Sequence, residues 1–160
     1  MERYFAISED QQVKLRGLQP RDATRIHRMW NEEAVALSFR EGVRARPLAE
    51  AESYIFFARG KSTTGRDLAL EYRGEFAGCL TWQYGSGVRD GSAELSYWVG
   101  RDFWGKGIAS TGVMLAMPFL YEQKKMHRLY AEVASDNLAS CRVLEHCGFR
   151  KEGTQREALI

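Results

Sequence analysis

Leu95-Ser96-Tyr97-Trp98-Val99-Gly100, followed closely by Trp104-Gly105-Lys106-Gly107-Ile108-Ala109, is the stretch that decides the fold of this 160-residue chain. Across residues 92–100, Ala93, Leu95, Tyr97 and Val99 share one face and Glu94, Ser96 and Trp98 the other, the period of a strand. Beyond the glycine-containing turn an apolar helical pattern covers residues 108–124. Strand, turn and helix in that order bring successive backbone N–H groups to the positive end of a helix dipole, a place for a pyrophosphate. Gly105 and Gly107 let the backbone come close, and Ala109 leaves the first helical turn open. Taken alone the G-x-G-x-A string is weak, because a tight turn with a small-residue cap produces it without a ligand. It matches neither the P-loop nor the dinucleotide-binding fingerprint.

Upstream, residues 13–18 alternate Val13, Leu15 and Gly17 with Lys14 and Arg16, a half-buried strand. After Pro20, residues 21–35 place Ala23, Ile26, Trp30 and Ala34 at helical spacing. The charged segment 39–46 reads either as a substrate lid or as an ordinary surface connection. Pro47 then opens a second helix with Leu48, Ala51, Ile55 and Ala58 on one side. Residues 66–72 and 75–84 form two antiparallel strands joined at Arg73-Gly74, and 85–91 is a polar, glycine-rich turn. Downstream, Pro118 should kink the 108–124 helix. Residues 127–133 make a strand, and Asp136 or Asn137 caps a helix reaching Cys147 and ended by Gly148. A last strand begins at Phe149. The order suits an α/β (α+β) domain, a mixed sheet covered by helices.

Size and composition, 44% hydrophobic and 28% charged, predict one domain over residues 1–160, without repeat or linker. The 23 basic and 21 acidic residues nearly cancel, and Lys124-Lys125 and His127-Arg128 are short clusters, so no nucleic-acid partner is expected. Cys79, Cys141 and Cys147 are odd in number and lack zinc-site spacing, which predicts reduced, partly buried thiols and no metal. Residues 1–10 carry both charge signs, and no apolar run approaches about 18 residues. A soluble, cytoplasmic protein without a membrane partner is the expectation.

The two opening motifs, with His127-Arg128-Leu129, Asp136-Asn137-Leu138-Ala139-Ser140 and Val143-Leu144-Glu145-His146-Cys147-Gly148-Phe149, resemble the GNAT N-acetyltransferase superfamily. The branch most similar is the RimJ/RimL type, which acetylates the N-termini of ribosomal proteins. The resemblance is strong over residues 93–153, and over 13–84 it rests on element order alone. Trp104 stands where the superfamily motif has Arg or Gln, a replacement common in this branch. The resemblance implies a mostly antiparallel sheet flanked by helices, whose central strands 92–100 and 127–133 splay apart. It implies acetyl-CoA as co-substrate, its pantetheine arm pairing with the main chain of Tyr97, Trp98 and Val99. The pyrophosphate would lie on Trp104, Gly105, Lys106, Gly107, Ile108, Ala109, Ser110 and Thr111, and Asn137 and Ser140 would approach the pantetheine and thioester.

Attack on a thioester needs a neutral amine, an oxyanion holder and a route for thiolate release. An α-amine with a pKa of about 8 is neutral in roughly one molecule in ten at pH 7, whereas an amine near 10.4 almost never is, so an α-amine asks less of a base. Glu94 lies at the position where the superfamily often has its catalytic Glu, while a half-exposed carboxylate paired with an Arg is its structural reading. Many relatives carry a Tyr acid where this chain has Leu144, and Ser140 stands where the RimL-like branch protonates the sulfur, although a Ser in a first turn is also simply a cap. Some relatives have a Glu at the position of Leu159. Cys147 reads as core. The acceptor is expected to be a protein or peptide N-terminus, with a polyamine or other small amine as the alternative. An acyl-CoA-binding regulatory module without turnover is a third reading, resting on Leu144 and Leu159. The family normally ends in a two-stranded hairpin, and only eleven residues follow Phe149. An exposed sheet edge is therefore expected, with either a homodimer through this region or a chain shortened at Ile160.

Overall fold

Segments with a two-residue period pair here in the order in which the chain makes them. The computed structural model describes residues 3–39, 41–60 and 62–157. Its strands are β1 (Tyr4–Ile7), β2 (Val13–Gly17), β3 (Gly65–Tyr72), β4 (Glu75–Tyr84), β5 (Ser92–Val99) and β6 (Arg128–Tyr130), arranged β1-β2-β3-β4-β5-β6 in one sheet. Every neighbouring pair is antiparallel except β5 and β6, which are parallel. A parallel pair cannot be joined by a hairpin. The link between β5 and β6 is accordingly a crossover through α4 (Ile108–Pro118) and the wide turn Phe119–Gln123.

Alternation gives the sheet two apolar faces. Leu15, Leu68, Leu70, Leu80, Trp82 and Leu95 pack with Ile108, Val113 and Ala116 of α4. On the opposite face, Ala69, Phe76 and Cys79 meet α1 (Ala23–Trp30) and α3 (Leu48–Arg59) through Ile26, Met29, Trp30, Ala51 and Ile55. The helix α5 (Leu138–His146) packs beside α4, and Gly148 ends it with φ +88°. The mixed, mostly antiparallel sheet flanked by helices is the expected architecture.

Several expectations differ from the structure. The helix expected over 21–35 is broken at Asn31, whose side chain accepts from Arg46 N (2.9 Å) and donates to Arg46 O (3.0 Å) instead of continuing a helical face; α2 (Glu33–Ala36) follows. The 108–124 helix changes at Pro118 into a π-type turn closed by Lys124 N on Phe119 O, because proline supplies no N–H to continue the α pattern. β1 was not anticipated, although Phe5 packs edge-on against Phe119 at 4.9 Å between ring centres. The strand expected over 127–133 is only Arg128–Tyr130. No strand forms between 149 and 157: beyond Phe149 the side chains are polar and exposed, with no apolar alternate face to bury. Glu152 instead holds Arg128 through two hydrogen bonds of 2.9 and 2.6 Å. β6 thus has one strand neighbour among the described residues. Leu159 and Ile160 lie outside them.

Candidate active site

β5 and β6 stay in register for Ser92↔Arg128, Ala93↔Leu129 and Glu94↔Tyr130, and then part. β5 runs on to Val99, still paired with β4 along its other edge. The central strands therefore splay, leaving a gap beside residues 95–99. Gly85 N donates to Ser92 O and Gly100 N to Ala77 O. Alternation between these bonds points the main chain of Glu94, Ser96 and Trp98 toward β4, and that of Leu95, Tyr97 and Val99 into the gap. The three main-chain contacts expected from Tyr97, Trp98 and Val99 are thus reduced: Trp98 is committed to the sheet, and the Val99 carbonyl accepts from the Trp104 indole N–H (2.8 Å).

Gly105 and Gly107 have φ of +75° and +71°, and a Cβ at Gly105 would meet nothing within 4 Å. The turn is uncrowded at Gly105. Thr111 N is bonded to Gly107 O (3.0 Å), and the N–H groups of Ile108, Ala109 and Ser110 precede any carbonyl that α4 offers them. Ser110 Oγ is turned back onto Gly107 O, and Lys106 Nζ reaches Asp102 O. What this cradle presents is main-chain N–H, the donor set suited to a phosphate.

On the α4 side of the gap, Asn137 Oδ1 accepts from Ser140 N (3.1 Å), capping α5. Ser140 Oγ and Tyr97 Oη share a hydrogen bond of 2.7 Å, and Tyr97 Oη also donates to Ser140 O (3.2 Å). Burial holds the Tyr97 phenol above its ordinary pKa, so it stays a proton donor. Leu144, without a hydroxyl, is buried in the core. Glu94, half-buried, projects from the opposite face at the last paired position before the gap. The structure thus brings Tyr97 and Ser140 together, with Glu94 on the opposite side of the sheet. Cys147, its thiol held above the ordinary range by burial, points to Ser110 O.

A cavity of about 260 Å³ lies on the Glu94 side, lined by Trp30, Phe39, Arg46, Tyr54, Asp67 and Trp98 among others. Asp67 and its cross-strand partner Thr81 line it together with Trp98 of β5. Asp67 Oδ1 accepts from Tyr54 Oη (3.0 Å) and Thr81 Oγ1 (2.7 Å). Of the segment expected to be a lid or a surface connection, Phe39, Glu41 and Arg46 line this cavity. Of these residues, Trp98 was singled out from sequence for its main chain and the 39–46 segment as a candidate lid; Tyr54 and Asp67 were not singled out, and Trp30 read as helix core. Asp67, though, alternates with Leu68 and Leu70, a signal that was present. A larger depression of about 710 Å³ on the outside of α3, near Phe56 and Phe57, involves no residue of β5, β6 or α4. Among the described residues no group of three His, Cys, Asp or Glu side chains could hold a metal ion, and no helix is long and apolar enough to cross a membrane.

Residues 12–150 match the acetyltransferase (GNAT) domain family. The chain belongs to this family. The GNAT relatives include "Probable N-acetyltransferase YjcK" of Bacillus subtilis, 39% identical over 66 residues, which are 41% of this chain and 36% of that protein. The first curated relatives are matched over little more than a third of their length. RimJ of Mycobacterium smegmatis, solved with a CoA-disulfide, superimposes with a TM-score of 0.81 at 27% identity, over 92% of this chain and 74% of that one. The spermidine N-acetyltransferase of Vibrio cholerae, solved with CoA and spermine, shares the GNAT fold with a TM-score of 0.79 at 23% identity, over 93% and 87% of the two chains. GNAT enzymes use acetyl-CoA.

Proposed function

We propose that this protein transfers the acetyl group of acetyl-CoA to a primary amine, and that the amine is the N-terminus of a protein or peptide. The observation carrying this reading is the parting of β5 from β6 after Glu94, followed by a glycine turn that leads into the first, unpaired N–H groups of α4. The turn from Trp104 to Thr111 holds the pyrophosphate, and the main chain of Tyr97 with Val99 N–H lines the pantetheine gap. Their N–H groups are also the donors that face a developing oxyanion there. Asn137 keeps Ser140 in place at the head of α5.

Glu94, directly or through one water, takes a proton from the amine as its nitrogen bonds to the acetyl carbon and the carbon–sulfur bond breaks. Ser140 gives its hydroxyl proton to the departing thiolate and regains one from Tyr97, whose phenol stands 2.7 Å away. Base and acid thus work from opposite sides of the sheet. The phenol at Ser140 supplies what Leu144 does not, which weighs against a non-catalytic acyl-CoA sensor. A polyamine site would want several unspent carboxylates; here Glu41 is engaged by Arg44 and Arg46, leaving Asp67 in the cavity.

Gly107→Glu tests the cofactor assignment. Its side chain would put bulk and negative charge in the cradle, and calorimetry should show acetyl-CoA binding abolished while circular dichroism stays unchanged. An unaltered dissociation constant in the folded variant would make the turn merely structural.

A further inference from the structure

The outer face of α3 carries two phenylalanines side by side in water. Phe56 and Phe57 are 74% and 76% exposed, and their rings meet edge-on with centres 5.5 Å apart. Together they leave roughly 300 Å² of aromatic surface uncovered, the size of patch that marks an interaction site on a soluble protein. The depression of about 710 Å³ adjoins them, its lining shared by buried Ala23 and Ile55 with Pro20, Glu52 and Arg59. Two opposite charges flank the rings. Glu52 is exposed and makes no hydrogen bond or ion pair among the described residues. Arg59 spends Nη1 on neutral oxygens, Leu18 O (3.4 Å) and Gln19 Oε1 (2.8 Å), and has no carboxylate partner among the described residues. Within one chain the two charges do not meet, because seven residues separate them by about 10 Å along the helix axis.

We propose that this face of α3 is where two copies of the chain meet, with their α3 helices antiparallel across a two-fold axis near Phe56. Seven residues return to within about 20° of the same stripe of a helix, so Glu52 and Arg59 share one line and Phe56 lies between them, four residues after one and three before the other. A two-fold axis across that line sets Glu52 of each copy against Arg59 of the other, at both ends of a contact between the aromatic rings. The face is therefore complementary to itself. A partner carrying a single sign of charge would be attracted by one of these side chains and repelled by the other. The four rings supply roughly 600 Å², about half of what a small stable interface buries, so the dimer is a weak one. The depression involves no residue of β5, β6 or α4, and the contact holds whether or not the chain transfers acetyl.

Sedimentation velocity of the full chain tests this. The wild type should pass from monomer to dimer between about 1 and 100 μM, the range of a weak interface. Phe56→Ser should weaken the dimer about 30-fold, since each dimer loses two central aromatic contacts. Glu52→Arg and Arg59→Glu, each alone, put like charges at both ends and should weaken it about tenfold. Their equimolar mixture should associate as the wild type does, because every Arg of one variant then faces a Glu of the other. Circular dichroism checks that each variant is folded, as expected for changes at exposed positions. A wild type that stays monomeric to about 100 μM would overturn the proposal. So would a dimer that survives Phe56→Ser, or two charge variants that fail to restore association when mixed.

Discussion

Glu94 and Ser140 divide the chemistry, and each leaves its own signature. A more alkaline solution supplies neutral amine without help. Glu94→Gln should therefore lower kcat more at pH 7 than at pH 9, with acetyl-CoA affinity little changed; equal losses would mean that Glu94 positions the acceptor and takes no proton. Ser140→Ala should reduce kcat by about 10²-fold, the lower range for a lost general acid. Tyr97→Phe should cost less, because Ser140 keeps its own proton. A Tyr97→Phe loss as large as that of Ser140→Ala would make the phenol the direct donor. Ser140 was singled out in the sequence by the resemblance to the RimL-like branch. Its partnership with Tyr97 was not, since the two residues are brought together only by the packing of α5 against the splayed strand.

Among the elements, α5 shows how a local rule serves the site. Asn137 caps the helix through the N–H of Ser140, so one bond fixes both the helix start and the hydroxyl that follows. Asn137→Ala should destabilise the protein by about 1 kcal/mol, read from the denaturation midpoint, and slow turnover, whereas Asn137→Asp should restore stability. If Ala slows nothing, the cap is only structural. This helix start, the β3–β4 hairpin and the strand 92–99 were visible in the sequence because periodicity and turn chemistry agree there. The break at Asn31 was not visible, because it depends on hydrogen bonds to Arg46 in a segment distant along the chain. The final strand expected from Phe149 failed for a different reason: a strand is made by its partner, and the polar residues after Phe149 have neither a neighbour strand nor an apolar face.

At the scale of the molecule, the sheet is pinned at one corner by a buried charge cluster. Arg16 binds Asp22 through two bonds of 2.8 and 3.0 Å and Glu71 through one of 2.7 Å, and all three residues are at most 3% exposed. Removing one partner strands a buried charge, so Asp22→Ala should cost about 3–5 kcal/mol, lowering Tm by roughly 10 °C. A shift of only one or two degrees would mean that water replaces the carboxylate. The cluster lies on the α1 side of the sheet, so acetyl-CoA affinity of the folded variant should hold. The central claim, that the opening between β5 and β6 is where an acetyl group passes from acetyl-CoA to an amine, is tested most directly by mixing the purified protein with acetyl-CoA and a peptide that has a free N-terminus. Free thiol and acetylated peptide are then measured together. Equimolar formation of both, abolished by Gly107→Glu, is the predicted result; acetyl-CoA bound with neither product formed, across peptides, small amines and polyamines alike, would contradict it.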